Sequence, residues 1–91
     1  MNKVSNIIAK ILLKNKIKNV FAITGGASIH LIHSISKTKN MQCIFNHHEQ
    51  ASSMAAVGYS KMKNGIGAAM FTTGCGSTNA VTGVLDAWQD N

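Results

Sequence analysis

Few residues of this 91-residue chain are suited to chemistry, and Glu49 stands first among them. It is the sole glutamate, opposed to the positive charges by only Asp86 and Asp90 besides itself. It follows Asn46-His47-His48, where a short apolar run gives way to a helical pattern. A helix N-terminus stabilises a carboxylate, while burial favours the protonated form. A carboxyl group at such a junction can hold or pass a proton. The same position also suits an ordinary first-turn glutamate, which contributes a few tenths to about 1 kcal/mol.

The other reactive side chains carry weaker signals. Cys43 and Cys75 are isolated, with no C-x-x-C pair and no zinc-ligand spacing. Cys75 lies beside a glycine loop, but no basic partner for it is evident, which favours an inert thiol over a nucleophile. His47 and His48 are neighbours and so point in different directions in any regular element. His30 and His33 share a helical face but lack a third ligand, so no metal site is expected. Gly25 and Gly26 suit a plain strand-to-helix turn as well as a close approach to a ligand or second subunit. Gly74, Gly76 and Asn79 fall in a Gly-Cys-Gly-Ser-Thr-Asn loop that approximates a dinucleotide fingerprint. Asn79 replaces the third glycine, however, and the acidic residue about twenty positions on is missing.

These residues need elements to position them. Val4, Ile7, Ile8, Ile11 and Leu12 fall on one helical face, predicting a helix over 3–15. Short apolar runs at 19–23, 41–45 and 66–72 read as buried strands. Ser28, Leu31, Ile32 and Ile35 mark a second helix, and residues 48–62 a third, with Ala51, Met54, Ala55, Gly58 and Met62 on one face. Gly65 is placed at the end of the third helix. Ser77 or Thr78 can cap a last helix with the stripe Ala80, Val81, Val84, Leu85 and Trp88. The order α-β-α-β-α-β-α defines an α/β fold, an open parallel sheet with helices on both faces. All three strand-to-helix loops then leave one sheet edge, where such sheets bind ligands.

The three loops together carry a resemblance. Val20-Phe21-Ala22-Ile23-Thr24-Gly25-Gly26-Ala27 resembles the V-F-G-x-P-G-G/A element of thiamine-diphosphate enzymes. His48-Glu49-Gln50 through Gly58-Tyr59-Ser60 resembles their H-E-Q segment. Thr72-Thr73-Gly74-Cys75-Gly76-Ser77-Thr78-Asn79 resembles T-S-G-P-G-x-T-N, with Ala87-Trp88-Gln89-Asp90 matching the A-x-x-D that follows. The three motifs stand in family order and span nearly the whole chain, most similar to the acetolactate synthase branch and its look-alikes from sugar and polysaccharide pathways. Thr24 and Cys75 stand where the family has proline, so both loops lose a fixed φ and gain an N–H.

The resemblance implies that residues 1–91 form part of an N-terminal pyrimidine-binding domain, three strands of a larger doubly wound sheet that would resume near Asn91. It assigns Glu49 a catalytic role, hydrogen-bonded to the aminopyrimidine of the cofactor, where a proton held on the ring favours loss of the thiazolium C2 proton. Gly25, Gly26, Gly74, Gly76 and Asn79 fall on the cofactor-binding loops. The implied cofactor is thiamine diphosphate, with Mg2+ held by a further domain and a place for FAD in the full-length protein. The implied substrate is a 2-oxo acid such as pyruvate, and the implied assembly a homodimer or tetramer. The 91 residues alone are expected to be inactive, poorly stable and unable to bind the cofactor tightly.

Composition narrows the alternatives. The net charge of +6 arises from nine basic residues, all lysine, spread singly from Lys3 to Lys63. Without arginine or interleaved aromatics this reads as a solvated face, and neither nucleic-acid binding nor a membrane partner is expected. No apolar run nears the ~20 residues of a membrane span. Ser5, Asn6 and Lys10 interrupt any signal-peptide core, which predicts a cytoplasmic location. A nucleotide-binding α/β module and a small basic binding protein are the alternative functional classes.

Overall fold

The computed structural model describes residues 3–90, and Asn91 lies outside them. The elements are α1 (Val4–Lys14), β1 (Asn19–Ala22), a 3-10 turn (Gly26–Ser28), α2 (Ile29–Lys37), β2 (Gln42–Phe45), α3 (Glu49–Lys63), β3 (Ala69–Met70), α4 (Cys75–Thr78) and α5 (Val81–Gln89). The three strands form one parallel sheet in the order β2-β1-β3. Val20 sits opposite Cys43 on one side of β1, and Ala22 pairs with both Phe45 and Met70.

The two faces of β1 separate two helical layers. Val20 and Ala22 are buried in a core with Ala9, Ile17, Ile32, Ile35, Met41 and Met70, which is the side of α1 and α2. Alternate strand residues point to opposite faces. Accordingly Phe21 meets Tyr59 of α3 edge-on, with ring centroids 5.8 Å apart. Asn19, two residues earlier, donates to the Tyr59 hydroxyl at 3.0 Å. α1 packs on α2, and α3 on α5. The chain steps from β1 outward to β2, then crosses back over β1 to β3. With right-handed crossovers, that reversal sends the helices to opposite faces.

Several boundaries and faces differ from the sequence reading. β3 covers two residues rather than the run 66–72. It is held to β1 through Phe21 N–H donating to Ala68 O and Ile23 N–H to Met70 O. The start of the run is committed instead to α3, since a Cβ on Gly67 would stand 2.1 Å from the Ala56 carbonyl oxygen. The last helix is broken in two: Ser77 and Thr78 lie inside α4, and α5 starts after Ala80 with no side-chain cap. α3 ends at Lys63, and Asn64, with φ 55°, rather than Gly65, closes it in a left-handed conformation.

Two apolar stripes point outward. α1 directs Ala9, Leu12 and Leu13 at the core and leaves Val4, Ile7, Ile8 and Ile11 exposed. α5 buries Gly83 and exposes Val81, Val84, Leu85 and Trp88, the last at 81%. α3 buries Ser52, Ser53 and Ala56 and turns Ala51, Met54, Gly58 and Met62 outward. Small residues do bring α3 and α5 together, since a Cβ on Gly83 would stand 2.1 Å from Ser53 Oγ and 2.8 Å from the Ser53 carbonyl carbon. Backbone atoms cannot yield as a side-chain tip can. Gly83→Ala is therefore expected to destabilise the protein by about 1–3 kcal/mol. Gly58→Ala, which meets nothing within 4 Å, should be neutral or stabilising by up to about 1 kcal/mol. Denaturant unfolding of the two variants side by side checks the contrast.

Candidate functional site

The parallel sheet delivers the loops after β1, β2 and β3 to one edge, and Thr72 joins the first to the third. Ala27 N–H donates to Thr72 Oγ1 at 3.2 Å. Ser77 Oγ donates to the Thr72 carbonyl oxygen at 2.6 Å. Glycine is required on both sides of this threonine. A Cβ at residue 25 would stand 2.3 Å from Thr72 Cβ, and one at residue 76 would stand 2.7 Å from Thr72 Cγ2. This contact joins β1 and β3, where successive connections depart to opposite faces. In open α/β sheets the crevice at such a reversal is the ligand site.

Glu49 enters from the loop after β2. It opens α3, with His48 as N-cap, whose Nδ1 accepts the Gln50 N–H at 3.0 Å. Ser52, fully buried, donates to Asn46 Oδ1 at 2.8 Å and so ties the end of β2 to the first turn of α3. The first turn then holds the half-buried Glu49 carboxylate at the positive end of a 15-residue helix. Asn79 Nδ2 donates to Glu49 Oε1 at 3.3 Å, joining the second loop to the third. Oε2 has no hydrogen-bond partner among the described residues, and a Cβ at residue 76 would stand 3.6 Å from it.

The predicted site residues therefore divide. Glu49, Gly76 and Asn79 form one cluster, with Gly25 joined to it through Thr72. Gly26 opens the 3-10 turn and Gly74 precedes α4, and a Cβ on either would meet nothing within 4 Å. Gly74 is needed for its backbone, at φ 69°, where L-residues are strained. α4 is a four-residue helix that breaks at Asn79, whose side chain is turned to Glu49; the dinucleotide pattern gains nothing here. Thr72 opens the third motif but draws no site role from it. Its only sequence signal for such a role is a hydroxyl at a strand end between two glycine loops.

The thiols and histidines sit apart from this cluster or play structural parts in it. Burial pushes the Cys43 thiol above its ordinary range, partly offset by its hydrogen bond with Ser36. Cys75 is exposed. Among the described residues no group of three His, Cys, Asp or Glu side chains is placed to hold a metal ion.

An open parallel α/β sheet with a helix-start glutamate anchored at its reversal point describes a small-molecule-binding domain. Comparison with known proteins makes this specific. The family described as thiamine pyrophosphate enzyme, N-terminal TPP binding domain, matches residues 2–91, and the chain belongs to it. It is 34% identical over 87 residues to the acetolactate synthase large subunit of Lactococcus lactis, covering 96% of this chain and 15% of that protein. It is 34% identical over 84 residues to the mitochondrial acetolactate synthase of Schizosaccharomyces pombe, covering 92% of this chain and 13% of that protein. Against the chloroplastic acetolactate synthase of Arabidopsis thaliana the identity is 32% over 89 residues, covering 98% and 13%. The chain thus spans about 15% or less of the length of these relatives.

The Thr72 junction can be tested without any ligand. Thr72→Ala removes the acceptor of the Ala27 N–H, and a single such bond contributes about 0.5–1.5 kcal/mol. Hydrogen exchange at the Ala27 amide should accelerate roughly two- to tenfold, measured by NMR or mass spectrometry. Exchange at Phe21, bonded within the sheet, should not change.

Proposed function

We propose that these residues form the pyrimidine-binding part of a thiamine-diphosphate-dependent carboligase or decarboxylase of the acetolactate synthase type, acting on a 2-oxo acid such as pyruvate. The observation that carries this reading is the Glu49 carboxyl group, with one oxygen anchored by Asn79 and the other beside the space that Gly76 leaves. That donor set fits the aminopyrimidine ring, which offers a nitrogen to a carboxyl group and needs a flat gap beside it. Gly25 and Gly76 let the first and third loops close on Thr72, and neither adds a side chain beside the Glu49 carboxyl group.

When bound, the cofactor supplies the carbon nucleophile and the electron sink that loss of carbon dioxide from a 2-oxo acid requires. The part of this chain is to orient the ring and to hold a proton at the ring nitrogen through Glu49. Asn79 fixes the carboxyl rotamer, and the helix start lowers the cost of its charge. Thr72 keeps the first and third loops at the spacing that admits the ring. The site is one-sided. The diphosphate, its Mg2+ and any FAD fall to domains outside these residues, and a second copy of the chain in a dimer or tetramer completes the cleft. The exposed stripe on α5 is consistent with such covering.

The test uses the protein as the cell makes it, supplied with thiamine diphosphate, Mg2+ and pyruvate. Glu49→Gln keeps the size and a hydrogen bond but cannot exchange a proton. It should slow exchange of the cofactor C2 proton and turnover by roughly 10²–10⁴-fold. Asn79→Ala leaves the carboxyl group in place but unanchored and should cost about tenfold, a loss of about 1.4 kcal/mol. Unchanged C2 exchange in Glu49→Gln would exclude the assignment.

A further inference from the structure

The carboxylates of this domain are confined to one layer, whereas lysines lie on both. All three carboxylates lie on the α3–α5 side: Glu49 opens α3, Asp86 lies in α5, and Asp90 is its C-cap. The only ion pair among the described residues joins Lys61 of α3 to Asp90. The α1–α2 layer carries Lys3, Lys10, Lys14 and Lys37 with no carboxylate to oppose them. Uncompensated charge on one face creates a potential that gathers counter-ions, most strongly where the surface is concave.

That layer has a concavity. A cleft of about 210 Å3 opens between α1 and α2, lined by Lys3, Ser5, Asn6, His30, His33, Ser34 and Lys37. His30, His33 and Lys37 recur along one side of α2, and Lys3 and Asn6 face them from the start of α1. The floor is fixed, because buried Ser34 donates its hydroxyl to Ser5 Oγ at 2.8 Å. Ser5 Oγ accepts that bond at the floor of the cleft. The lining thus offers two ammonium groups, two imidazoles, a hydroxyl and a side-chain amide. Donors of this kind match the acceptor-only oxygens of a compact oxyanion.

We propose that the cleft between α1 and α2 binds a small dianion of the phosphate class, at a site separate from the Glu49 edge. Lys3 and Lys37 supply the charge from the two helices. Ser5, Asn6 and the imidazoles supply directed hydrogen bonds. Because the ligand is held by both helices, its occupancy should couple Lys3 to Lys37.

Lysine acylation read by mass spectrometry tests this site by site, on the protein as the cell makes it, with inorganic phosphate as the probe. Saturating phosphate should slow labelling of Lys3 and Lys37 by at least about threefold relative to chloride at equal ionic strength. Lys61 and Lys63, on the opposite layer, should label at unchanged rates. Lys37→Gln should abolish the phosphate protection of Lys3, and Lys3→Gln that of Lys37. Vesicles containing phosphatidic acid, whose headgroup is a phosphate monoester, form a parallel arm: protection by these vesicles but not by free phosphate would identify the dianion as a lipid headgroup. Equal protection by chloride, protection shared with Lys61 and Lys63, or protection of Lys3 that survives Lys37→Gln would overturn the proposal. None of these outcomes depends on thiamine diphosphate or on Glu49.

Discussion

Two missing side chains govern how closely the loops of the sheet edge approach one another. Thr72 ends the third strand run between Gly25 and Gly76, and a Cβ on either would collide with its side chain at 2.3 or 2.7 Å. This close approach lets the first loop donate to the Thr72 hydroxyl and the third loop donate to its carbonyl. It therefore fixes where the third loop turns into α4, and with it the position of Asn79. Asn79 in turn reaches Glu49, which arrives from the second loop. The carboxylate is thus placed by a chain of short contacts through all three loops. A methyl group added at residue 25 would act on Glu49 through Thr72 rather than through the helix that carries it.

Much of this architecture is legible in the sequence, and the parts that are not have identifiable causes. Period and glycine punctuation locate three strands and the helices between them, because backbone turns need particular residues wherever they fall. The place of Glu49 is legible too: the sole glutamate falls at the end of an apolar run, and it opens α3. The direction of a helical stripe is not legible in the same way. On α1 the large apolar residues Val4, Ile7, Ile8 and Ile11 face out, and the small Ala9 faces in. On α3 the inward residues are Ser52 and Ser53, satisfied by Asn46 and by the Gln50 carbonyl. Periodicity identifies a stripe, but depth of packing decides which side is the core. At Ala9 of α1 and along α3 close packing selects small residues, and several large apolar ones face outward.

The break between α4 and α5 is equally invisible to periodicity. Ala80 is buried, its N–H bonds to Ser77 rather than continuing the i−4 ladder, and the ladder resumes with Val84 N–H to Ala80 O. The kink leaves Asn79 at the corner, where its side chain can leave the helical path and bond Glu49. An unbroken helix from Ser77 would carry that amide around with the helical turn. The irregularity and the Asn79–Glu49 contact are therefore one feature. Family membership locates the domain within a class of thiamine pyrophosphate enzymes, and this corner shows how the chain's own packing anchors the Glu49 carboxyl group.

The most direct measurement is a crystal structure of the protein, as the cell makes it, with thiamine diphosphate bound. The account predicts the aminopyrimidine ring in the gap beside Gly76, its N1′ nitrogen within about 3 Å of a Glu49 oxygen, and the Asn79 amide still on the other oxygen. A ring bound elsewhere, or a Glu49 side chain turned away from it, would contradict the account.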